Sequence, residues 1–274
     1  MTDTDEATVL ITGATDGLGR RVAHDLAASG TTVLLHGRDE ERVETTVREI
    51  REGTNNDKLR CYRADFSSLG EVRRLAKEVR TNHAHLDVLI NNAGVFAREW
   101  AVSRDGHELT FAVNFLAPFL LTYLLVPLLR GSAPARVVNV ASAGQSPVNF
   151  DDPMLERGYD GMRAYAQSKL ALVMFTFDLL AGQLEGTGVT ANYLHPATLM
   201  GTKMIFEAFG SSSSYVQEGA DATVYLAADP DLREVTGRYF EGQREARAEG
   251  QAYDPEPRKR LRTLSEELTG LRNS

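Results

Sequence analysis

Along this chain the spacing of apolar positions switches repeatedly between short unbroken runs and stripes at helical intervals. Residues 8–12 form a first apolar run and predict a strand; Leu18, Val22 and Leu26 follow at helical spacing, with Gly30 where a C-cap belongs. Residues 32–36 predict a second strand. Val43, Val47 and Ile50 mark a second helix, closed by Gly53 and the polar turn 55–57. The same reading gives strands at 59–64, 86–90, 136–140 and 189–194. Between them it places a striped helix from Leu69 to Val79, a long apolar helix over 109–129 and another over about 162–184. A helix over 215–228, a short strand at 238–240 and a last helix opened by Asp254 and Pro255 complete the pattern.

Strands alternating with helices imply right-handed βαβ units. The predicted fold is therefore α/β: a doubly wound, mostly parallel Rossmann-type sheet with helices on both faces, in a single domain over 1–274. Ligands of such sheets bind beyond the carboxyl ends of the strands. Candidate chemistry is thus expected after strands one, two, four, five and six.

Composition narrows the partners. With 274 residues and a net charge of −8, the chain repels phosphate backbones, so no nucleic-acid partner is expected. Cys61 is the only cysteine, which suits a reducing, cytoplasmic location, and the acidic start of the chain is unlike a signal peptide. The apolar run 115–129 is shorter than the roughly 20 residues a bilayer needs and holds Pro118 and Pro127; it is read as a buried helix, not a membrane span. His83, His85 and Asp87 sit in a polar turn without a further ligand cluster, and no metal site is expected. Arg258, Lys259, Arg260 and Arg262 are read as a solvated face.

The first strand runs into Thr12-Gly13-Ala14-Thr15-Asp16-Gly17-Leu18-Gly19. Glycines there let the backbone approach a pyrophosphate, and the helix start directs free N–H groups at it. After strand two, Gly37 stands where an NAD site would place a carboxylate, and Arg38 can pair with a 2′-phosphate; this points to NADP(H), against a reading of Arg38 as a solvated helix-start residue. Tyr165 and Lys169 share one helical face. An ammonium beside a phenol favours its ionised form, so Tyr165 could exchange a proton with a carbonyl or alcohol oxygen, although such pairs also occur as plain surface contacts. Ser142 at the end of strand five could bond the substrate oxygen or belong to an ordinary turn. The stretch 91–94, with Asn92, Ala93 and Gly94, could admit a cofactor or form an Asx turn. Asn114, inside an apolar helix, is either a structural bridge or part of a proton path.

Together, in this order and spacing, these residues resemble the short-chain dehydrogenase/reductase family in its short single-domain form. The resemblance implies a tetrad of Asn114, Ser142, Tyr165 and Lys169, with Tyr165 as acid/base, Ser142 polarising the carbonyl, Lys169 on the nicotinamide ribose and Asn114 anchoring a water. It implies cofactor contacts from Gly13, Thr15, Asp16, Gly17, Leu18, Gly19, Gly37, Arg38, Asp65, Phe66, Asn92, Ala93, Gly94, Pro196 and Thr198, besides Tyr165 and Lys169. Segments 148–152, 159–165 and 237–240 are similar to the retinol dehydrogenase-like, NADP-dependent subgroup acting on lipophilic alcohols and ketones. A substrate lid is then expected over 197–215 and a C-terminal helical extension over 254–270. Phe96, Phe150, Met200 and Met204 join Ser142 as candidate pocket residues, ordinary packing being the alternative for the lid methionines. One departure stands out: His195-Pro196-Ala197-Thr198 replaces the family's Pro-Gly. The implied partner is a small carbonyl or alcohol substrate, and the implied assembly a homodimer or homotetramer through helices near 109–130 and 162–184. Two rivals are a redox-inactive NADP-binding sensor or scaffold, against which the complete tetrad argues, and sugar-nucleotide epimerase or dehydratase chemistry, against which the short length argues.

Overall fold

The alternating pattern folds into one eight-stranded sheet in a computed structural model that describes residues 7–271. In chain order the elements begin β1 (Thr8–Ile11), α1 (Gly17–Ala28), β2 (Thr32–Gly37), α2 (Glu40–Thr54), β3 (Leu59–Arg63), α3 (Leu69–Asn82) and β4 (Val88–Asn91). They continue with α4 (Leu109–Phe111), α5 (Ala117–Gly131), β5 (Ala135–Val140), α6 (Gly161–Leu179), β6 (Val189–His195), α7 (Lys203–Phe209) and α8 (Val216–Ala228). The last are β7 (Tyr239–Glu241), β8 (Arg244–Ala246) and α9 (Pro255–Thr269). Strand order is β3-β2-β1-β4-β5-β6-β7-β8, parallel up to β7, with β8 antiparallel. The order reverses between β1 and β4, where Ile11 pairs both Leu35 and Ile90, so a crevice opens past their carboxyl ends.

Two apolar layers cover the sheet. One joins α3, α5, α6 and α9 to it through residues such as Val72, Phe119, Phe175 and Leu261; the other joins α1, α2 and α8 through Val22, Val47 and Leu226. This is the arrangement the fully apolar strands predict, since both of their faces are buried.

The structure corrects several local expectations. Helix α2 runs through Gly53 and ends at Asn55, whose φ of 54° supplies the left-handed cap. The helical stretch Leu109–Gly131 is 23 residues long with mean hydropathy 2.0, and Pro118 and Pro127 do not interrupt it, so the length argument against a membrane span does not hold. Burial bears on it differently: 78% of its most apolar window lies inside the protein. A π-helical turn over Ala112–Leu116, closed by Ala117 N–H on the Ala112 carbonyl, precedes Pro118 and accommodates a residue without an N–H. Strand β8, too short to show a period, was not foreseen.

Helix α9 lies against α6, with Leu261 and Ser265 buried among Phe115, Phe119 and Phe175. Lys259 and Arg260 are exposed, as a solvated face predicts, but the three arginines also make contacts of their own. Arg258 covers the Phe177 ring at 5.5 Å, Arg260 covers Phe150 at 4.6 Å, and Arg262 pairs with Asp178 at 3.4 Å. Guanidinium planes can lie on aromatic faces while their stems pack, so these charges dock the helix.

Candidate active site

At the crevice, the glycine turn is shaped from below by three side chains. Thr12 Oγ accepts from the backbone N–H groups of Asn92 (2.9 Å) and Ala93 (3.0 Å). Asn92 Nδ2 donates to the carbonyls of Thr12 (2.8 Å) and Gly13 (3.1 Å). His36 Nδ1 accepts from Gly13 N–H at 3.2 Å while Nε2–H donates to the Ala64 carbonyl at 3.0 Å. Burial pushes the His36 pKa down to about 4, so the imidazole is neutral and can be acceptor and donor at once. Its ring stacks on Phe66 at 4.3 Å. Sequence reading missed Thr12 and His36. Their signal was position alone: the residue before the first glycine, and a polar residue closing an apolar strand.

Space in this turn is reserved for backbone. A Cβ on Gly13, whose φ is +67°, would sit 2.9 Å from Ala93 Cα, and one on Gly19 would sit 2.2 Å from the Gly13 carbonyl oxygen. Asp16 N-caps α1 by accepting from Gly17 N–H at 2.7 Å. Thr15 adjoins Gly37, where a Cβ would lie 2.6 Å from both Thr15 Cγ2 and Val43 Cγ2. Leu18 is buried. Arg38 is exposed beside it. Asp65 accepts from Ser67 N–H at 3.0 Å; burial raises its pKa, but the Ser67 bonds together with Arg104 and Arg38 outweigh that and hold it below the usual carboxylate value. Such a cradle, tight, N–H-rich and without room for side chains, fits a pyrophosphate.

The second half of the site lies beyond β4 and β5. Asn114, in the π-helical turn, clasps Val95: Oδ1 accepts from its N–H at 2.7 Å and Nδ2 donates to its carbonyl at 3.0 Å and to Ser168 Oγ at 3.1 Å. Of the two readings left open for Asn114, the structural bridge describes these bonds. The clasp holds Gly94 so that a Cβ there would meet Asn114 Oδ1 at 3.4 Å and Lys169 Nζ at 3.6 Å. Lys169 is 4% exposed and donates to the Val140 carbonyl at 2.9 Å, with Nζ 5.6 Å from the Tyr165 ring centroid. Ser142, just past β5, accepts Gly144 N–H on Oγ at 3.1 Å and acts on the Tyr165 phenol, lowering its pKa in part. Phe96 lies against Tyr165 at 6.0 Å between ring centroids. Asn114, Ser142, Tyr165 and Lys169 are thus brought to one end of the sheet.

Charge in this pair runs against the simple expectation. Burial raises the Tyr165 pKa, the Ser142 hydrogen bond offsetting part, and burial lowers Lys169 to about 8. With Nζ turned to Val140, the ammonium does not lower the phenol here; desolvation outweighs it. A testable consequence concerns stability. Between about pH 8 and 10.5 the unfolded chain keeps a lysine proton that the folded protein has shed, so stability rises with pH across that window. Relative to Lys169→Met, wild type is expected to gain up to about 3 kcal/mol from pH 7.5 to 10.5 in urea titrations. A constant difference would refute the buried lysine.

Other candidates go elsewhere. Met200, half-buried, packs on the second apolar layer, its Sδ 2.3 Å from where a Gly219 Cβ would be, next to Pro196 and Leu18. Phe150 lies against the larger layer beneath Arg260. Met204 is half-buried on α7. Thr198 Oγ1 bonds His195 Nε2 at 2.9 Å, and its carbonyl accepts from Ser213 and Ser214, closing the loop around α7 at its base. Here the left-handed residue is Leu199 (φ 47°), not Ala197. Arg98 donates to the Glu207 carbonyl, tying α7 to the loop after β4. His83 bonds the Tyr62 hydroxyl at 2.7 Å; among the described residues no group of three or more His, Cys, Asp or Glu could hold a metal.

Comparison with known proteins agrees with this geometry. A family model described as short chain dehydrogenase matches residues 7–209. Retinol dehydrogenase 13 of Mus musculus is 38% identical, the match covering 96% of this chain and 84% of that protein. Retinol dehydrogenase 14 of Homo sapiens is likewise 38% identical, over 96% and 86%. Among solved structures, a protein from Mycobacterium Paratuberculosis superposes with a TM-score of 0.79 at 31% identity, covering 96% of this chain and 93% of its own. A short chain dehydrogenase from Escherichia coli CFT073, complexed with NADPH, gives 0.71 at 26% identity over 87% and 97%.

Proposed function

The chain belongs to the short-chain dehydrogenase family, and from that premise we propose that it is an NADP(H)-dependent oxidoreductase for a carbonyl/alcohol pair, with Tyr165 as acid/base. The observation that carries the reading is the convergence of Ser142, Tyr165 and Lys169 on the crevice whose floor is the glycine turn. The E. coli neighbour that holds NADPH supports the cofactor.

Gly13, Gly17, Gly19 and the start of α1 would hold the pyrophosphate, Asp65 and Phe66 would flank the adenine side, and Gly94, Tyr165 and Lys169 the nicotinamide side. When bound, the nicotinamide supplies or accepts hydride. Ser142 orients the substrate oxygen through its hydroxyl, whose lone pair is already engaged by Gly144 N–H, leaving the proton to donate. Tyr165 gives its phenolic proton to that oxygen in reduction and takes it back in oxidation. Its raised pKa keeps it protonated at neutral pH, which suits the reductive direction. Lys169, whose Nζ lies 5.6 Å from the phenol ring centroid and bonds the Val140 carbonyl, would hold the nicotinamide ribose and not set the phenol's pKa.

The nature of the pocket follows from its neighbours. Phe96 beside Tyr165, and the half-buried Met204 on the loop over the crevice, make a largely apolar surround, consistent with a lipophilic ketone or secondary alcohol and with the retinol dehydrogenases among the relatives. NADPH oxidation followed at 340 nm (on the order of a dozen ketones, aldehydes, quinones and retinoids) tests the activity. Tight NADPH binding without turnover of any of them would favour the sensor reading.

Cofactor preference has its own test. An acidic side chain at 37 would collide with Thr15 and Val43, and Arg38, exposed and near Asp65, would face a 2′-phosphate. Arg38→Ala is expected to raise KM for NADPH roughly 10- to 100-fold, the worth of a charge-assisted hydrogen bond, and to leave KM for NADH within about twofold. Equal losses for both cofactors would refute the assignment.

A further inference from the structure

Ser142 is held by its carbonyl as well as by its hydroxyl. Gln145 Nε2 donates to the Ser142 carbonyl at 2.7 Å, and the Tyr239 hydroxyl, from β7, donates to the same oxygen at 3.4 Å. Gln145 Oε1 in turn accepts from the backbone N–H of Glu249 at 3.0 Å. Three residues further on, Val148 N–H donates to Gln251 Oε1 at 2.7 Å, and Gln251 Nε2 returns to the Val148 carbonyl at 3.3 Å. Glu249 and Gln251 flank the start of a 3₁₀ turn over Gly250–Tyr253, where Glu249 caps by accepting from Gln251 N–H at 2.7 Å. The segment after β5 therefore has no strand or helix of its own around Ser142, yet Gln145 and Gln251 tie it to residues 249–251.

We infer that Gln145 is a positioning residue for Ser142, transmitting to it the fixed backbone of residues 249–251. This rests on the reading of Ser142 as the group that orients the substrate oxygen. The physical argument is one of direction. The backbone sets the direction of the serine Cα–Cβ bond and a contact on Oγ selects the rotamer, so both must be held for a donor that tolerates little angular error. Here the Ser142 carbonyl is pinned by the Gln145 amide, Gly144 N–H pins the hydroxyl oxygen, and the same amide is anchored to backbone remote in sequence. Gln145 touches neither Tyr165 nor Lys169 in these bonds, so its influence passes through Ser142.

The test is a double-mutant cycle on the full-length protein with the best carbonyl substrate from the panel. Gln145→Met preserves length and removes both hydrogen bonds. It is expected to lower kcat about tenfold, the scale of one or two lost hydrogen bonds, while the NADPH dissociation constant stays within about twofold. In a Ser142→Ala background the same change is expected to cost less than about twofold, because its target is already gone. Gln145→Glu serves if the Met variant melts early: it keeps the acceptor for Glu249 N–H and replaces only the donor to Ser142, and the same tenfold loss is expected. Independent, multiplicative losses, or an unimpaired Gln145→Met beside a crippled Ser142→Ala, overturn the inference about Gln145 alone. Full activity in Ser142→Ala would instead remove the reading of Ser142 on which it stands.

Discussion

Tyr165→Phe is expected to lower kcat for carbonyl reduction on the order of 100- to 10,000-fold, the usual worth of a placed general acid, while NADPH still binds. The substitution deletes one oxygen. The ring keeps its packing on Phe96 and beneath Lys169 Nζ, and α6 keeps its backbone, since Ser168 Oγ holds the Tyr165 carbonyl at 2.7 Å whatever the side chain. Stopped-flow reduction with a deuterated-NADPH control would separate loss of the proton donor from a change in product release. Retention of more than about a tenth of wild-type kcat would mean that another group delivers the proton.

The second large effect is expected at Gly19. An alanine methyl there would lie 2.2 Å from the Gly13 carbonyl oxygen and 2.4 Å from Asn92 Nδ2. Asn92 could in principle swing away, but only by releasing the Thr12 and Gly13 carbonyls that it holds. The Gly13 oxygen is backbone and cannot move without dragging the turn off its His36 anchor. Gly19→Ala should therefore destabilise the protein by about 2–4 kcal/mol and weaken NADPH binding at least about 100-fold, as overpacking against main chain does. Isothermal calorimetry and a thermal melt measure the two separately. Near-normal binding would show that the turn is not the phosphate cradle. By contrast, alanine at Gly70, where the nearest atom is a Ser68 hydroxyl at 3.6 Å, should be harmless.

Much of this could be read from the chain because the relevant signals are local. The switch from short apolar runs to helical stripes gives the strand and helix order, and order plus handedness places the crevice at β1 and β4. Glycines at 13, 17 and 19 announce a tight strand-to-helix turn, and the i,i+4 spacing puts Tyr165 and Lys169 on one face. What could not be read is where side chains aim once distant segments meet. Met200 and Met204 look equivalent in sequence, yet Met200 packs beside Gly219, Pro196 and Leu18 while Met204 lies on α7. The charged run 258–262 has the composition of a solvated face; three of its arginines find rings and a carboxylate supplied by segments over 80 residues away in the chain. That the Asn92 side chain also braces the turn's own carbonyls could not be read from the stretch 91–94. The phenol's raised pKa was equally hidden, because desolvation depends on what covers a group and not on its neighbour at i+4.

The dependence of Ser142 on residues 239–251, and of the α5–α6 face on α9, has a consequence for synthesis. On the ribosome the β1–β4 half can assemble first, since its strands pair among themselves and its glycine turn is braced by Thr12, His36 and Asn92. Nucleotide could then engage a nascent chain well before the reactive serine is held in place. A translation intermediate stalled before residue 239 would lack the contacts that hold the serine, and would expose Phe119 and Phe175 to chaperones until α9 emerges to cover them.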